Sequence, residues 1–243
     1  MTKIYHKNKL TFSLIWIGMY VVLASVADSL SDTIGITKII TAPLLFLMSV
    51  VMYIWLSKNG LAKENGLACA AGKKSGVLYY IPLVILITAN LWNGVTLNMP
   101  IMDTVFYIVS MLFVGFLEEI IFRGLLFTSL CALGVKKAFI ISSVTFGIGH
   151  IVNLLNGAEL LPTILQIISA VAIGFLFTLI FYTTKSLWVC IMTHSIFNAL
   201  SAFAVEPSDV GRIVSCTFIC AIAVLYAMYL VYNFKKKQVA EKP

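Results

Sequence analysis

"TVFYIVSMLFVGFLEEIIFRGLLFT", Thr104 to Thr128, is long enough to cross a bilayer, yet Glu118, Glu119 and Arg123 sit inside it. A spanning helix needs about 20 mainly apolar residues. Each ionised residue at mid-membrane costs about 2.5–3.5 kcal/mol, and each of the fifteen Ile, Leu, Val and Phe in the stretch returns about 0.3–0.6. The opposing terms nearly cancel, so the helix is marginal alone and its charges need partners in a bundle. Glu119 and Arg123, four residues apart, lie one above the other on a helix and can pair. Glu118 points about 100° away and must find its donor on another element.

The rest of the chain supplies the bundle. It has 243 residues, 60% of them hydrophobic and only 11% charged, far from the usual balance of a soluble domain. Mean hydropathy is +1.00. Apolar runs suited to spanning lie at Leu10–Ala27, Ile36–Ser57, Gly76–Asn93, Thr104–Thr128, Ala138–Asn153, Leu161–Tyr182, Leu187–Ala204 and Ile213–Phe234. The expected fold is all-α, a polytopic bundle of about eight transmembrane helices around a polar cavity. The connections are short and rich in Gly, Pro, Asn and charge, so residues 1–243 form a single transmembrane domain.

The net charge of +7 does not mark a nucleic-acid binder once the charges are sorted by connection. Lys3, Lys7, Lys9, Lys58, Lys63, Lys73, Lys74, Lys136, Lys137, Lys185, Lys235, Lys236, Lys237 and Lys242 fall at the amino terminus, in the even-numbered connections or in the tail. The opposite connections hold Asp28, Asp32, Asp103, Glu159, Glu206 and Asp209, with Lys38 and Arg212 as their basic residues. Positive charge is retained on the cytoplasmic side, so a multi-pass cell-membrane protein with both termini cytoplasmic is expected. The first apolar run is longer than a signal peptide needs, and its removal would leave an odd number of spans. Cys69, Cys131, Cys190, Cys216 and Cys220 are scattered and read as small buried residues without pairing or metal spacing.

His6 lies in the basic amino-terminal tail, whereas His150 and His194 fall within predicted spans. His150 stands near Phe146 and Asn153, and Ser143 with Gly147 makes a small-xxx-small stripe that lets a second helix approach. His194 and Asn198 are four apart and present donors on one face. Read separately, each group has a bland role as an interfacial residue or helix-joining hydrogen bond. Read together, Glu118, Glu119, Arg123, His150, His194 and Asn198 are costly on three helices unless they converge on one wet cavity.

Such a set divides into a water-activating base, Glu118 with His150, and an oxyanion site, His194 with Asn198, on a Glu119–Arg123 scaffold. That is the layout of a peptide hydrolase using water directly. No Gly-x-Ser-x-Gly elbow is present, and no cysteine has an evident histidine partner. The competing chemistry is Zn²⁺ held by Glu118, His150 and His194 with an open position, although no His-Glu-x-x-His helix occurs.

"EEIIFR" (Glu118–Arg123), "FGIGH" (Phe146–His150) and "HSIFN" (His194–Asn198) resemble the three motifs of the CPBP (Abi) family, which comprises CAAX-prenyl endopeptidases and bacteriocin-processing intramembrane proteases. The resemblance covers about residues 104–204. It implies an eight-helix membrane protease in which Glu118 and His150 activate water, His194 and Asn198 bind the oxyanion, and Glu119 and Arg123 belong to the site. It also implies cleavage of a peptide bond in a membrane-associated protein or peptide, of CAAX type or in bacteriocin processing, with no resident cofactor. The partners expected are that substrate and the lipid bilayer. Two other classes stay open on the residues: a non-catalytic bacteriocin-immunity or peptide-binding membrane protein, and a proton-coupled transporter.

Overall fold

The computed structural model describes residues 1–68 and 80–240. A short helical segment, Thr2–Lys7, precedes eight main helices: α1 (Lys9–Ile34), α2 (Thr41–Lys58), α3 (Ile81–Ile87), α4 (Ile101–Glu119), α5 (Val135–Gly149), α6 (Leu160–Thr184), α7 (Trp188–Leu200) and α8 (Asp209–Ala240). The caps of α1 show why it starts and stops where it does. The Asn8 side chain accepts from the Thr11 amide at its start, and Gly35, at φ +81, closes its end with bonds to the Ser31 and Asp32 carbonyls.

The bundle is the all-α membrane fold expected, with one difference in span length. Six helical stretches among the described residues are long and apolar enough to cross a membrane: Lys9–Ile34, Thr41–Lys58, Ile101–Leu133, Val135–Leu155, Leu160–Thr184 and Asp209–Lys236. The seventh predicted run is a shorter apolar helix, Trp188–Phe203, whose last turn tightens to 3₁₀ geometry. The third begins within residues 69–79, outside the described residues; from Tyr80 onward it provides the seven-residue α3 and a 3₁₀ turn at Ala89–Leu91. Cys69, Lys73, Lys74 and Lys242 also lie outside the described residues.

The most extensive helix packing among the described residues is of α5 with α6, α4 with α7 and α6 with α8. Small residues set two of these approaches. A Cβ on Gly147 would fall 3.0 Å from the Ile167 carbonyl, and one on Gly174 would fall 3.2 Å from the Ser143 Cα, so the Ser143–Gly147 stripe joins α5 to α6 as its spacing predicts. On α4, a Cβ at Gly115 would sit 2.6 Å from the Ser195 amide nitrogen, while the Ser195 hydroxyl donates to the Leu112 carbonyl at 2.9 Å. This contact has consequences one turn further along both helices. Leu14, Val22 and Val26 of α1 and Val224, Leu225 and Met228 of α8 are exposed, as faces turned toward acyl chains require.

The loops sort into two ends. At one, Lys9 pairs with Glu64, Thr2 donates to Asn59, and the Leu187 amide bonds the Gly66 carbonyl. At the other, the Thr37 amide donates to Asp103 at 2.8 Å, Lys38 pairs with Asp28, and the Asn98 amide donates to the Ala204 carbonyl at 2.6 Å. The first end carries the lysine-rich connections and the second the acidic ones.

Candidate active site

Helix α4 delivers its charges at a change of helical type. Directly after Glu119 the backbone passes into a π-helical stretch, Ile120–Phe127, all eight residues of which are buried. A regular α-helix was the natural reading of this apolar run; wider i→i+5 turns are rare and concentrate at functional sites. Neighbouring side chains serve the loosened backbone: the Ser142 hydroxyl donates to the Phe122 carbonyl at 2.8 Å, and the Thr128 hydroxyl to that of Arg123 at 3.4 Å.

Glu119 and Arg123 pair as their spacing predicts, Nη1 to Oε1 at 3.0 Å. The guanidinium also lies over the Phe146 ring, 4.0 Å from its centroid, so an aromatic face on α5 shares the burial of the charge. The same Glu119 Oε1 meets His194 Nδ1 at 2.8 Å. The close contact of Gly115 with Ser195 makes this possible: Glu119 is one turn beyond Gly115 on α4, and His194 adjoins Ser195 on α7. Glu119 accepts from Arg123, so Nδ1 of His194 carries the proton in this contact.

Glu118 finds its donor on α1, where the Tyr20 hydroxyl bonds Oε1 at 2.7 Å. Its other oxygen, Oε2, lies 3.6 Å from His194 Nε2, beyond hydrogen-bond range, and has no hydrogen-bond partner among the described residues. His194 thus stands between the two glutamates, one ring nitrogen toward each.

His150 ends α5 as its capping residue, and its ring packs edge-on against Phe146 at 5.4 Å. It lines two cavities. One, of about 130 Å³, is bounded by Tyr20, Ser110, Glu118, Phe122, Phe146 and His150 and extends to Asp28, Lys38 and Asn156. The other, of about 70 Å³, is bounded by Phe146, His150, Gln166, Phe177, His194 and Asn198. Phe146 and His150 form the partition shared by both. Convergence on a single cavity is therefore replaced by two adjoining ones, with Glu118 in the first and the His194–Asn198 pair in the second. The Asn198 side chain has no hydrogen-bond partner among the described residues, and no group of three His, Cys, Asp or Glu there has the geometry to hold a metal ion. Glu118, His150 and His194 do not form such a group in this arrangement.

Two residues at the site carry no sequence signal. Tyr20 sits in a plain apolar run, where an aromatic reads as packing or an interfacial anchor. Gln166, which accepts from the Asn153 amide at 2.8 Å, lies in a span with no other marked polar group.

Residues 100–200 match the family model described as Type II CAAX prenyl endopeptidase Rce1-like, which belongs to the CPBP family. No curated protein and no solved structure matches the chain. The matched segment runs from the start of α4 to the end of α7 and contains all three motifs. It supports protease activity of the CAAX type in general.

Proposed function

We propose that this chain, whose residues 100–200 match the Rce1-like domain, is an intramembrane endopeptidase that hydrolyses a peptide bond in a membrane-associated protein or peptide with water activated by Glu118. The observation that carries the reading is the asymmetric surrounding of His194: on one nitrogen a fully buried Glu119 whose Oε1 is bonded to both Arg123 and His194, and on the other a Glu118 that lines a cavity and is held by Tyr20 through Oε1 alone.

In this mechanism Glu118 is the general base. Tyr20 holds Glu118 through Oε1, and the attacking water is held between Glu118 and His150, which share the larger cavity. The water's oxygen attacks the scissile carbonyl carbon while its proton passes to Glu118, and the carbonyl π electrons move onto oxygen. His194 and Asn198 stabilise the resulting oxyanion. For His194 to donate from Nε2 while Nδ1 remains on Glu119, it acts with a proton on each ring nitrogen. Collapse of the tetrahedral intermediate breaks the C–N bond, and the proton held by Glu118 passes to the leaving amine, directly or by way of His150. Glu119 orients His194, and Arg123 holds Glu119.

The test is incubation of the purified protein with candidate membrane-associated peptides, with and without a chelator, followed by mass spectrometry. Cleavage by the native chain that persists with chelator, and its loss by about 10²–10⁴ in Glu118→Gln, is expected. Full activity of Glu118→Gln in the folded protein would remove the assigned base, and loss of cleavage on chelation would replace the metal-free mechanism.

A further inference from the structure

The larger cavity has a direction. Its inner wall is Glu118, Tyr20 and Phe122. Its outer rim is Ser25 and Asp28 at the end of α1, Lys38 in the following loop, and Asn153 and Asn156 after α5. Asp28 stands eight residues beyond Tyr20 on α1, which places the rim about 12 Å along the helix from the Tyr20–Glu118 contact. These rim residues belong to the acidic end of the bundle, where the Asn156 amide reaches Ser25 at 3.4 Å and Thr37 meets Asp103. Toward the lysine-rich end the cavity lining reaches no further than Phe122, and Ile120 to Phe127 are all buried.

The charge sorting of the loops orients these two ends. Lysine-rich connections are retained on the cytoplasmic side, so the end with Asp28, Asp103, Glu159 and Glu206 faces away from the cytoplasm. We propose that the cavity takes its substrate from the non-cytoplasmic face, and that the substrate is a peptide segment presented there, such as an exported or surface-anchored polypeptide. The word substrate rests on the protease reading above; the side of entry does not.

The rim chemistry suits a peptide backbone. Asp28 and Lys38 pair at 2.8 Å and leave little net charge. Ser25, Asn153 and Asn156 offer hydroxyl and amide groups that both donate and accept, as an extended chain's alternating N–H and C=O groups require. Deeper in, Val21, Leu45 and Val114 form an apolar wall for a side chain.

The experiment reads entry side without reference to cleavage. In the full-length chain with its native cysteines replaced by alanine, Asn156→Cys and Lys136→Cys are compared in intact cells using a membrane-impermeant maleimide. The expected result is labelling of Asn156→Cys at least about tenfold above Lys136→Cys, with the difference lost on permeabilisation. The reverse pattern would put the mouth in the cytoplasm and overturn the proposal. Failure of Asn156→Cys to label even after permeabilisation would also overturn it, by showing that the rim is closed. An inactive but outward-labelling protein would contradict the protease reading alone.

Discussion

His194 divides the polar centre into two sides that differ in almost every physical respect. On the Glu119 side, carboxylate and guanidinium are both 0% exposed, and Glu119 Oε1 is bonded twice, to Arg123 and to His194. On the Glu118 side the carboxylate is 8% exposed, lines a cavity, and has Tyr20 as its hydrogen-bond donor; an Oε2 without a hydrogen bond among the described residues is common to both glutamates. In the proposed mechanism two adjacent glutamates of the same chemistry are put to different uses by their neighbours: one serves as structure and the other as the base. A buried pair is most costly when one partner is removed, whereas a reactive carboxylate can lose its charge without disturbing the fold.

The sharpest way to break the contrast is Arg123→Ala. It leaves Glu119 buried without its cation and should lower stability by about 3–5 kcal/mol, measured as loss of folded protein in detergent on heating. Unchanged stability would mean that the pair is not the anchor of the bundle. Next is Asn198→Ala in the second cavity, which should lower turnover by about 10²–10³ with the fold retained. A change confined to substrate affinity would remove Asn198 from the oxyanion site. The smallest effect is expected from Tyr20→Phe. Loss of one hydrogen bond to a charged group, about 1.5 kcal/mol, should slow cleavage by about tenfold without a change in melting temperature. An equal fall in stability would assign Tyr20 to the structural side instead.

These positions also mark how far the chain could be read from its letters. Contacts within one helix were legible because spacing determines them: Glu119 meets Arg123, and the Ser143–Gly147 stripe meets α6 at Gly174. The loop charges were legible because the bilayer sorts them before packing matters, and the two ends of the bundle carry them as expected. Contacts between helices were only half legible. That Glu118, Glu119, Arg123, His150, His194 and Asn198 crowd together follows from the cost of leaving them in lipid. Which of them touch does not, because helix rotation decides it. His194 faces both glutamates, whereas the chemistry of the set grouped Glu118 with His150. The approach of Gly115 to Ser195 sets that rotation, and a glycine outside any small-xxx-small stripe does not announce its neighbour. Tyr20 was hidden for the same reason, with its partner 98 residues away. The π-helical turn was hidden because hydrophobic periodicity over the seven apolar neighbours of Arg123 does not distinguish it from α-helix.

The most direct test of the division at His194 is a parallel measurement of melting temperature and peptide cleavage for Glu118→Gln and Glu119→Gln. The expected result is a Glu118→Gln protein that melts like the native chain and does not cut, beside a Glu119→Gln protein that melts several degrees lower. A Glu118→Gln variant that cleaves normally, or a Glu119→Gln variant of native stability, would contradict the assignment of one glutamate to chemistry and the other to structure.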